Sequence, residues 1–156
     1  MIPILALLLG TFTVVLGVEK LWERARGRTE GAAGRAGRIA LAALFVLTGI
    51  AHFIVTEPMA QMVPPPFPPA ATVWATGVLE IFGAIGLLVP RTSKLAAWCL
   101  FAFLIAVFPA NIYAAMNHTG LGGHMDGPSY LWQRAPFQLL LLVWTWVFGI
   151  RRRVRG

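Results

Sequence analysis

Apolar side chains fill five long runs of the chain, which short polar or charged stretches separate. The runs extend over about Ile2–Val18, Ile39–Val55, Ala70–Val89, Leu95–Met116 and Ala135–Ile150. Helices of this length suit a hydrocarbon core of roughly 30 Å, since each residue adds about 1.5 Å. A membrane β-barrel would show apolar residues at every second position instead. The pattern therefore predicts an all-α transmembrane bundle.

Prolines and short turns set the predicted helix ends. The second helix is expected to stop before Glu57 and Pro58, because proline restrains the residue before it and cannot continue a helix. The proline-rich stretch that follows, 62–69, predicts a rigid cap at one end of the bundle. The four-residue turn Arg91–Lys94 makes the third and fourth helices antiparallel neighbours. Pro136 is expected in the first turn of the last helix.

Composition supports the membrane interpretation. Apolar residues make up 58% of the chain and charged residues 12%, with a mean hydropathy of +0.72, so a soluble globule would lack polar surface. The net charge of +7 lies in short blocks between the apolar runs, which is typical of membrane topology rather than of nucleic-acid binding. We expect the bilayer as a partner and no nucleic acid.

The distribution of basic residues predicts the orientation. Of the 13 Lys and Arg residues, six lie in Lys20–Arg38, two in the Arg91–Lys94 turn and four in the tail, which leaves only Arg134 elsewhere. Basic residues favour the cytoplasmic side, so the amino terminus is predicted outside and the carboxyl terminus inside. The first helix is interpreted as retained, with an uncleaved signal anchor that sits apart from the bundle as the alternative.

Polar side chains inside the apolar runs are the candidate functional residues. His52, Glu80, Asn111 and Gln138 each lie in a different predicted helix, and Glu57 follows a helix end. Such groups are costly at membrane depth unless they face protein or water, so they mark functional sites by default. The alternative is that they only link helices through hydrogen bonds. For Glu80 we expect a protonated carboxyl or a cationic partner such as protonated His52.

Two other groups carry weaker signals. His118, His124, Met125 and Asp126 lie close together, but their spacing matches no defined ligand pattern, so a solvated loop and no metal are expected. Tryptophans near helix ends are interpreted as interfacial anchors: Trp74, Trp132 and Trp144 or Trp146.

Seven short motifs carry a family resemblance. They are Gly49-Ile-Ala-His52-Phe53, Pro58, Met62-Val-Pro-Pro-Pro66, Gly77-Val-Leu-Glu80, Gly86-Leu-Leu-Val-Pro90, Phe108-Pro-Ala-Asn111 and Arg134-Ala-Pro-Phe-Gln138. Their order and spacing resemble the DoxX-like family of small bacterial membrane proteins over residues 39–150. The first helix and its basic linker, residues 1–38, lie outside the resemblance, and residues 151–156 form a basic tail.

The resemblance implies a four-helix DoxX-like core, here with one extra N-terminal transmembrane helix, in the inner membrane of a bacterium. Members of the wider family are linked to thiosulfate:quinone oxidoreduction, to thiol-based oxidative stress complexes and to maturation of redox proteins. The family is also distantly similar to the sterol isomerase and sigma-2 receptor group. Carried over by position, the ligand-binding pocket candidates are His52, Glu57, Glu80, Asn111, Arg134 and Gln138, with Glu57 and Arg134 at the mouth.

These observations predict a redox-associated membrane protein that binds a quinone or a similar amphipathic molecule. His52 and Glu80 would exchange protons, while Asn111 and Gln138 would donate hydrogen bonds to a carbonyl. One cysteine, Cys99, provides no disulfide and no iron–sulfur ligand set, so a partner protein would supply the redox centre. The alternatives are a non-catalytic accessory subunit of a membrane complex, which contacts its partner through the first helix, and an isomerase-like lipid enzyme.

Overall fold

The protein is a bundle of helices, which a computed structural model describes over residues 2–25 and 32–151. The elements in chain order are α1 Ile2–Ala25, α2 Ala32–Ile54, α3 Thr56–Ala60, α4 Pro69–Leu88, α5 Ser93–Met116, a 3₁₀ segment Gly122–Tyr130, α6 Leu131–Thr145 and a π-helical turn Trp146–Ile150. The described ranges contain no strand, which confirms the all-α prediction. Part of the predicted linker, 26–31, and most of the basic tail, 152–156, lie outside the described residues.

In the part of the chain that the structure describes, three helices are long and apolar enough to cross a membrane. They are α2, α4 and α5, whose most apolar windows have mean hydropathies of 1.8, 1.7 and 2.1. Large apolar side chains on these helices point outward, among them Ile54, Phe82, Leu95 and Ile105. Exposed apolar surface of this extent suits contact with lipid chains. The chain is therefore a helical membrane protein.

The first two helices extend further than the apolar runs predict. α1 continues to Ala25 and α2 already begins at Ala32, so much of the expected linker is helical. The Arg35 side chain donates hydrogen bonds to Glu19 Oε2 from Nε at 2.9 Å and from Nη2 at 2.6 Å. Such a two-pronged contact holds the charged end of α1 against the charged start of α2.

Aromatic packing fixes α1 against the bundle. Leu8 is fully buried, and the Phe12 ring lies 5.1 Å from Trp144 and 5.5 Å from Phe148 between centroids. The Trp144 indole donates a hydrogen bond to the Gly37 carbonyl at 3.0 Å. α1 therefore does not sit apart, and the interpretation of Trp144 as an interfacial anchor is wrong because its ring is buried in this cluster.

Two glycines let the backbones of α2 and α4 approach closely. A Cβ atom on Gly77 would lie 2.7 Å from His52 Cβ and 3.0 Å from the Gly49 carbonyl oxygen. Only glycine fits so short a separation between helices. This contact aligns the α2 and α4 faces that carry His52 and Glu80.

The two ends of the bundle differ. At one end lie the basic residues Arg35, Arg38, Arg91, Lys94 and Arg151, where the π-helical turn packs against α2 and α5 through contacts at Gly37 and Gly149. At the opposite end the Thr119 hydroxyl donates to the Gln61 carbonyl at 3.2 Å. That contact joins the segment after α3 to the segment after α5, so the two loops together close the second end.

We predict that Gly77→Ala destabilises the bundle by about 1–3 kcal/mol, because the added methyl group forces α2 and α4 apart. Unfolding in a denaturing detergent measures the change. Gly17→Ala is the matched control, since nothing lies within 4 Å of a Cβ atom there and alanine favours the helix. Equal stability of Gly77→Ala and the wild type would contradict the close contact.

Candidate functional site

A cavity of about 1140 Å³ lies inside the bundle. Side chains of α2, α4, α5 and α6 form its walls, and the segments after α3 and α5 close one end. Most of the lining is apolar, for example Leu44, Val73, Phe103, Val107, Phe137 and Leu141. The polar lining includes four of the residues that the sequence singled out, namely His52, Glu80, Asn111 and Arg134.

Asn111 is the centre of a buried polar cluster. Its Nδ2 donates to the Val107 carbonyl one turn earlier at 2.9 Å. Its Oδ1 accepts a hydrogen bond from Arg134 Nε at 3.0 Å and lies 3.2 Å from His124 Nε2. Because a guanidinium nitrogen only donates, the oxygen of the amide must face Arg134. The contacts on both sides of the amide thus fix its orientation. Through them the Asn111 side chain links α5 to α6 and to the 3₁₀ segment.

His124 enters this cluster from the 3₁₀ segment. Its Nδ1 lies 2.8 Å from the Leu121 carbonyl oxygen, and its ring contacts the Tyr130 ring at 4.6 Å between centroids. Burial lowers the pKa of His124, and the nearby Arg134 charge lowers it further, against the raising effect of the Leu121 carbonyl. Both ring nitrogens face carbonyl oxygens, so the ring makes both hydrogen bonds only when it is protonated.

Arg134 brings a positive charge to the cavity. Its guanidinium carbon lies 5.8 Å from the Phe137 ring centroid, within range of a cation–π contact. In the described part of the chain no carboxylate forms an ion pair with it. Beyond the Nε bond to Asn111, its terminal nitrogens remain as hydrogen-bond donors at the cavity.

His52 and Glu80 form a second polar group, between α2 and α4. His52 Nδ1 lies 2.7 Å from the Thr48 carbonyl oxygen, which can only accept, so Nδ1 carries a hydrogen atom. The same nitrogen is 3.6 Å from Glu80 Oε2, which is too long for a hydrogen bond. Glu80 Oε2 is buried and has no hydrogen-bond partner. A buried acceptor of this kind is costly unless a ligand or a proton satisfies it.

Two predicted pocket residues are not part of the cavity lining. Glu57 lies on the short helix α3 and is exposed. Gln138 is buried and donates from Nε2 to the Leu104 carbonyl, while its Oε1 has no partner among the described residues. Gln138 therefore ties α6 to α5. Pro136, expected in the first turn of the last helix, lies inside α6, because the helix already begins at Leu131.

His124 lines the cavity, although the sequence placed it in a solvated loop and not among the pocket candidates. A solvated loop is the wrong description of its surroundings, because only 6% of its surface is exposed. The backbone around it bends at Gly127, whose φ of 80° favours glycine, and the His118 ring packs there. A histidine shortly after two glycines gives no hint of this contact, which depends on how the 3₁₀ segment folds. Among the described residues, no group of three metal-ligating side chains occurs.

A family model described as a domain of unknown function, DUF8561, matches residues 41–149. The chain belongs to the DUF8561 family. No curated protein and no solved structure matches the chain. The DUF8561 domain begins within α2 and ends in the π-helical turn, so it contains every residue that lines the cavity. α1 lies outside it.

We predict a pH dependence of stability from His124. A histidine whose pKa is lowered by folding stabilises the fold fully above its unfolded pKa, about 6.5, and this contribution is lost as pH falls through 6.5 toward the lower folded value. Thermal unfolding between pH 8 and 5 should therefore show a steeper loss of stability for the wild type than for His124→Gln. Parallel curves for the two proteins would contradict a buried, neutral His124.

Proposed function

We propose that this membrane protein binds a small amphipathic molecule in its cavity, with a quinone as the first candidate, and acts beside a redox protein. The observation that carries the proposal is a large apolar cavity with a cationic polar cluster at one end. Ligand sites commonly combine mostly apolar walls with a few polar groups that fix orientation. The motifs that resemble the DoxX-like family favour the same ligand class.

The size of the cavity suits such a ligand. Its volume of about 1140 Å³ lies just above the usual range for small-molecule pockets, roughly 300–1,000 Å³. A ring system with part of an isoprenoid tail would fill it. The apolar side chains of α4, α5 and α6 would contact the tail, and the cluster at Asn111 would contact the ring.

Arg134 is the proposed donor to a ligand carbonyl. The side-chain amide of Asn111 donates one hydrogen bond to the Val107 carbonyl, and that of Gln138 donates one to the Leu104 carbonyl. Within the described ranges the terminal nitrogens of Arg134 have no such partner, so they are the stronger donors toward the cavity. This assigns Asn111 a positioning role, in place of the direct contact that the sequence suggested.

His52 and Glu80 are the proposed proton-exchanging groups. Glu80 Oε2 has no partner among the described residues and could accept a hydrogen bond from the hydroxyl group of a ligand such as a quinol, and His52 Nδ1 lies 3.6 Å from it. The sequence has one Cys, which cannot supply the cysteine set of an iron–sulfur cluster, and His52 is the one histidine within the described α-helices, so these helices hold no bis-histidine pair for a haem. We therefore assign the redox centre to a partner protein.

The test compares ligand capture by two variants of α5. Ala110 lines the cavity whereas Ala102 is exposed on the outside of the same helix, so Ala110→Trp fills the cavity and Ala102→Trp does not. We expect native mass spectrometry and lipid extraction to find a quinone or isoprenoid with the wild type and Ala102→Trp. Ala110→Trp should lose it.

A different result would favour a second candidate. If wild type and both variants carry no small molecule but retain a partner polypeptide, the chain is an accessory subunit. One observation supports that alternative: α1 lies outside the DUF8561 domain and exposes Val14, Val18 and Leu21 by 61–68%. In that case removal of residues 1–38 should release the partner, while Ala110→Trp should not.

We also propose the topology. Five helices, α1, α2, α4, α5 and α6 with its π-helical turn, would cross a bacterial inner membrane with the basic end in the cytoplasm and the amino terminus outside. The clustering of Arg35, Arg91, Lys94 and Arg151 at one end of the bundle supports this orientation.

The topology predicts the behaviour of fusions to the carboxyl terminus. Green fluorescent protein fused there should fluoresce, and alkaline phosphatase fused there should be inactive, because the former folds in the cytoplasm and the latter outside it. An active phosphatase fusion with a dark fluorescent-protein fusion would reverse the orientation.

A further inference from the structure

We infer that the polar end of the cavity, formed by Arg134, Asn111 and His124, recognises a negatively charged oxygen head group, so that the preferred ligand is an acidic amphiphile. This inference rests on the proposed binding function and adds the charge of the ligand. A neutral quinone needs only a donor, whereas the arrangement of these three residues fits an anion better.

The first observation is the isolation of the Arg134 charge. The guanidinium is largely surrounded by protein, and within the described ranges it makes no ion pair. A partly buried cation that forms no direct ion pair gains from a hydrogen-bonded opposite charge. Carboxylate and phosphate oxygens match the fork of guanidinium donors and make charge-assisted hydrogen bonds with it. An oxyanion at the terminal nitrogens of Arg134 would therefore supply the direct ion pair that the described side chains do not.

The second observation is the way Asn111 holds its neighbours. Its Oδ1 fixes Arg134 Nε at 3.0 Å, which leaves the terminal nitrogens as the donors for a ligand. The same oxygen is 3.2 Å from His124 Nε2, and the other ring nitrogen faces the Leu121 carbonyl. An anion beside this cluster would favour the doubly hydrogen-bonded, cationic form of His124. Arg134 and His124, which can both carry a positive charge, thus lie within hydrogen-bond distance of the same oxygen, Asn111 Oδ1.

Glu80 opposes an anionic ligand and offers a sharp control. It lines the same cavity and attracts Arg134 electrostatically, but the two side chains do not form an ion pair. A negative charge there would weaken binding of an anion. Glu80→Gln should therefore strengthen binding of an acidic amphiphile relative to the wild type.

The experiment uses the full chain in nanodiscs of phosphatidylcholine at pH 8, with empty nanodiscs to subtract partition into lipid. The probes are radiolabelled dodecanoate, dodecyl phosphate and dodecanol, which share one chain and differ in the head group. Hydrogen bonds to charged groups correspond to about tenfold or more in affinity. We expect the wild type to prefer at least one anion over dodecanol by about that factor, and the better anion identifies a carboxylate or a phosphate ligand.

Variants test whether Arg134 and Asn111 cause the preference. Arg134→Gln should abolish it, and Asn111→Leu should reduce it because Arg134 loses its anchor. Arg91→Gln removes an exposed arginine at the other end of the bundle and should keep it. If Arg134→Gln does not fold, the wild-type preference and its increase in Glu80→Gln decide the matter.

Two results would overturn the inference: equal affinity of the wild type for dodecanol and both anions, or an anion preference that survives in a folded Arg134→Gln. Failure of the inference can be distinguished from failure of the proposed function. If a short-chain quinone binds the wild type and is lost in Ala110→Trp while anions have no advantage, only this inference falls. If Ala110→Trp displaces no probe at all, both fall.

Discussion

The close contact of α2 and α4 at Gly49 and Gly77 is the constraint on which the rest of the bundle depends. In a bilayer the lipid chains are as apolar as the helix surfaces, so packing rather than the hydrophobic effect must hold helices together. The two glycines allow backbone contact, and this contact brings His52 beside Glu80. With α2 and α4 in tight contact, the bulky side chains of α5 and α6 enclose the open volume that forms the cavity.

The buried polar groups are of two kinds: some have a hydrogen-bond partner within the protein, and others have none among the described residues. Trp144, Thr145 and the Nδ2 group of Asn111 bond to backbone carbonyls and strengthen contacts within and between helices. In contrast, Glu80 Oε2 and Gln138 Oε1 have no partner. Buried polar groups without a hydrogen bond are rare in stable interiors. Residues whose polar groups are bonded hold the bundle together, whereas the groups without a partner near the cavity are available for binding.

The membrane makes part of this structure predictable from sequence. A bilayer of fixed thickness dictates the length of α2, α4 and α5, and a polar residue such as Asn111 stands out in an apolar run. The extension of α1 and α2 was not predictable, because it depends on the pairing of Glu19 with Arg35. The place of His124 in the cluster was missed for a similar reason: hydropathy does not describe the fold of the 3₁₀ segment, and only that fold brings the ring to Asn111.

The position of the polar cluster, at the end of the bundle opposite the basic residues, has a consequence for how a ligand would arrive. In the proposed orientation, a molecule bound with its head at Arg134 and its tail between α4, α5 and α6 would lie as a lipid of the outer leaflet does. Such a molecule could pass between the bilayer and the protein by sideways diffusion, without turning over. The protein would then sample the outer leaflet only, and the slow step of transbilayer flipping would play no part in its loading.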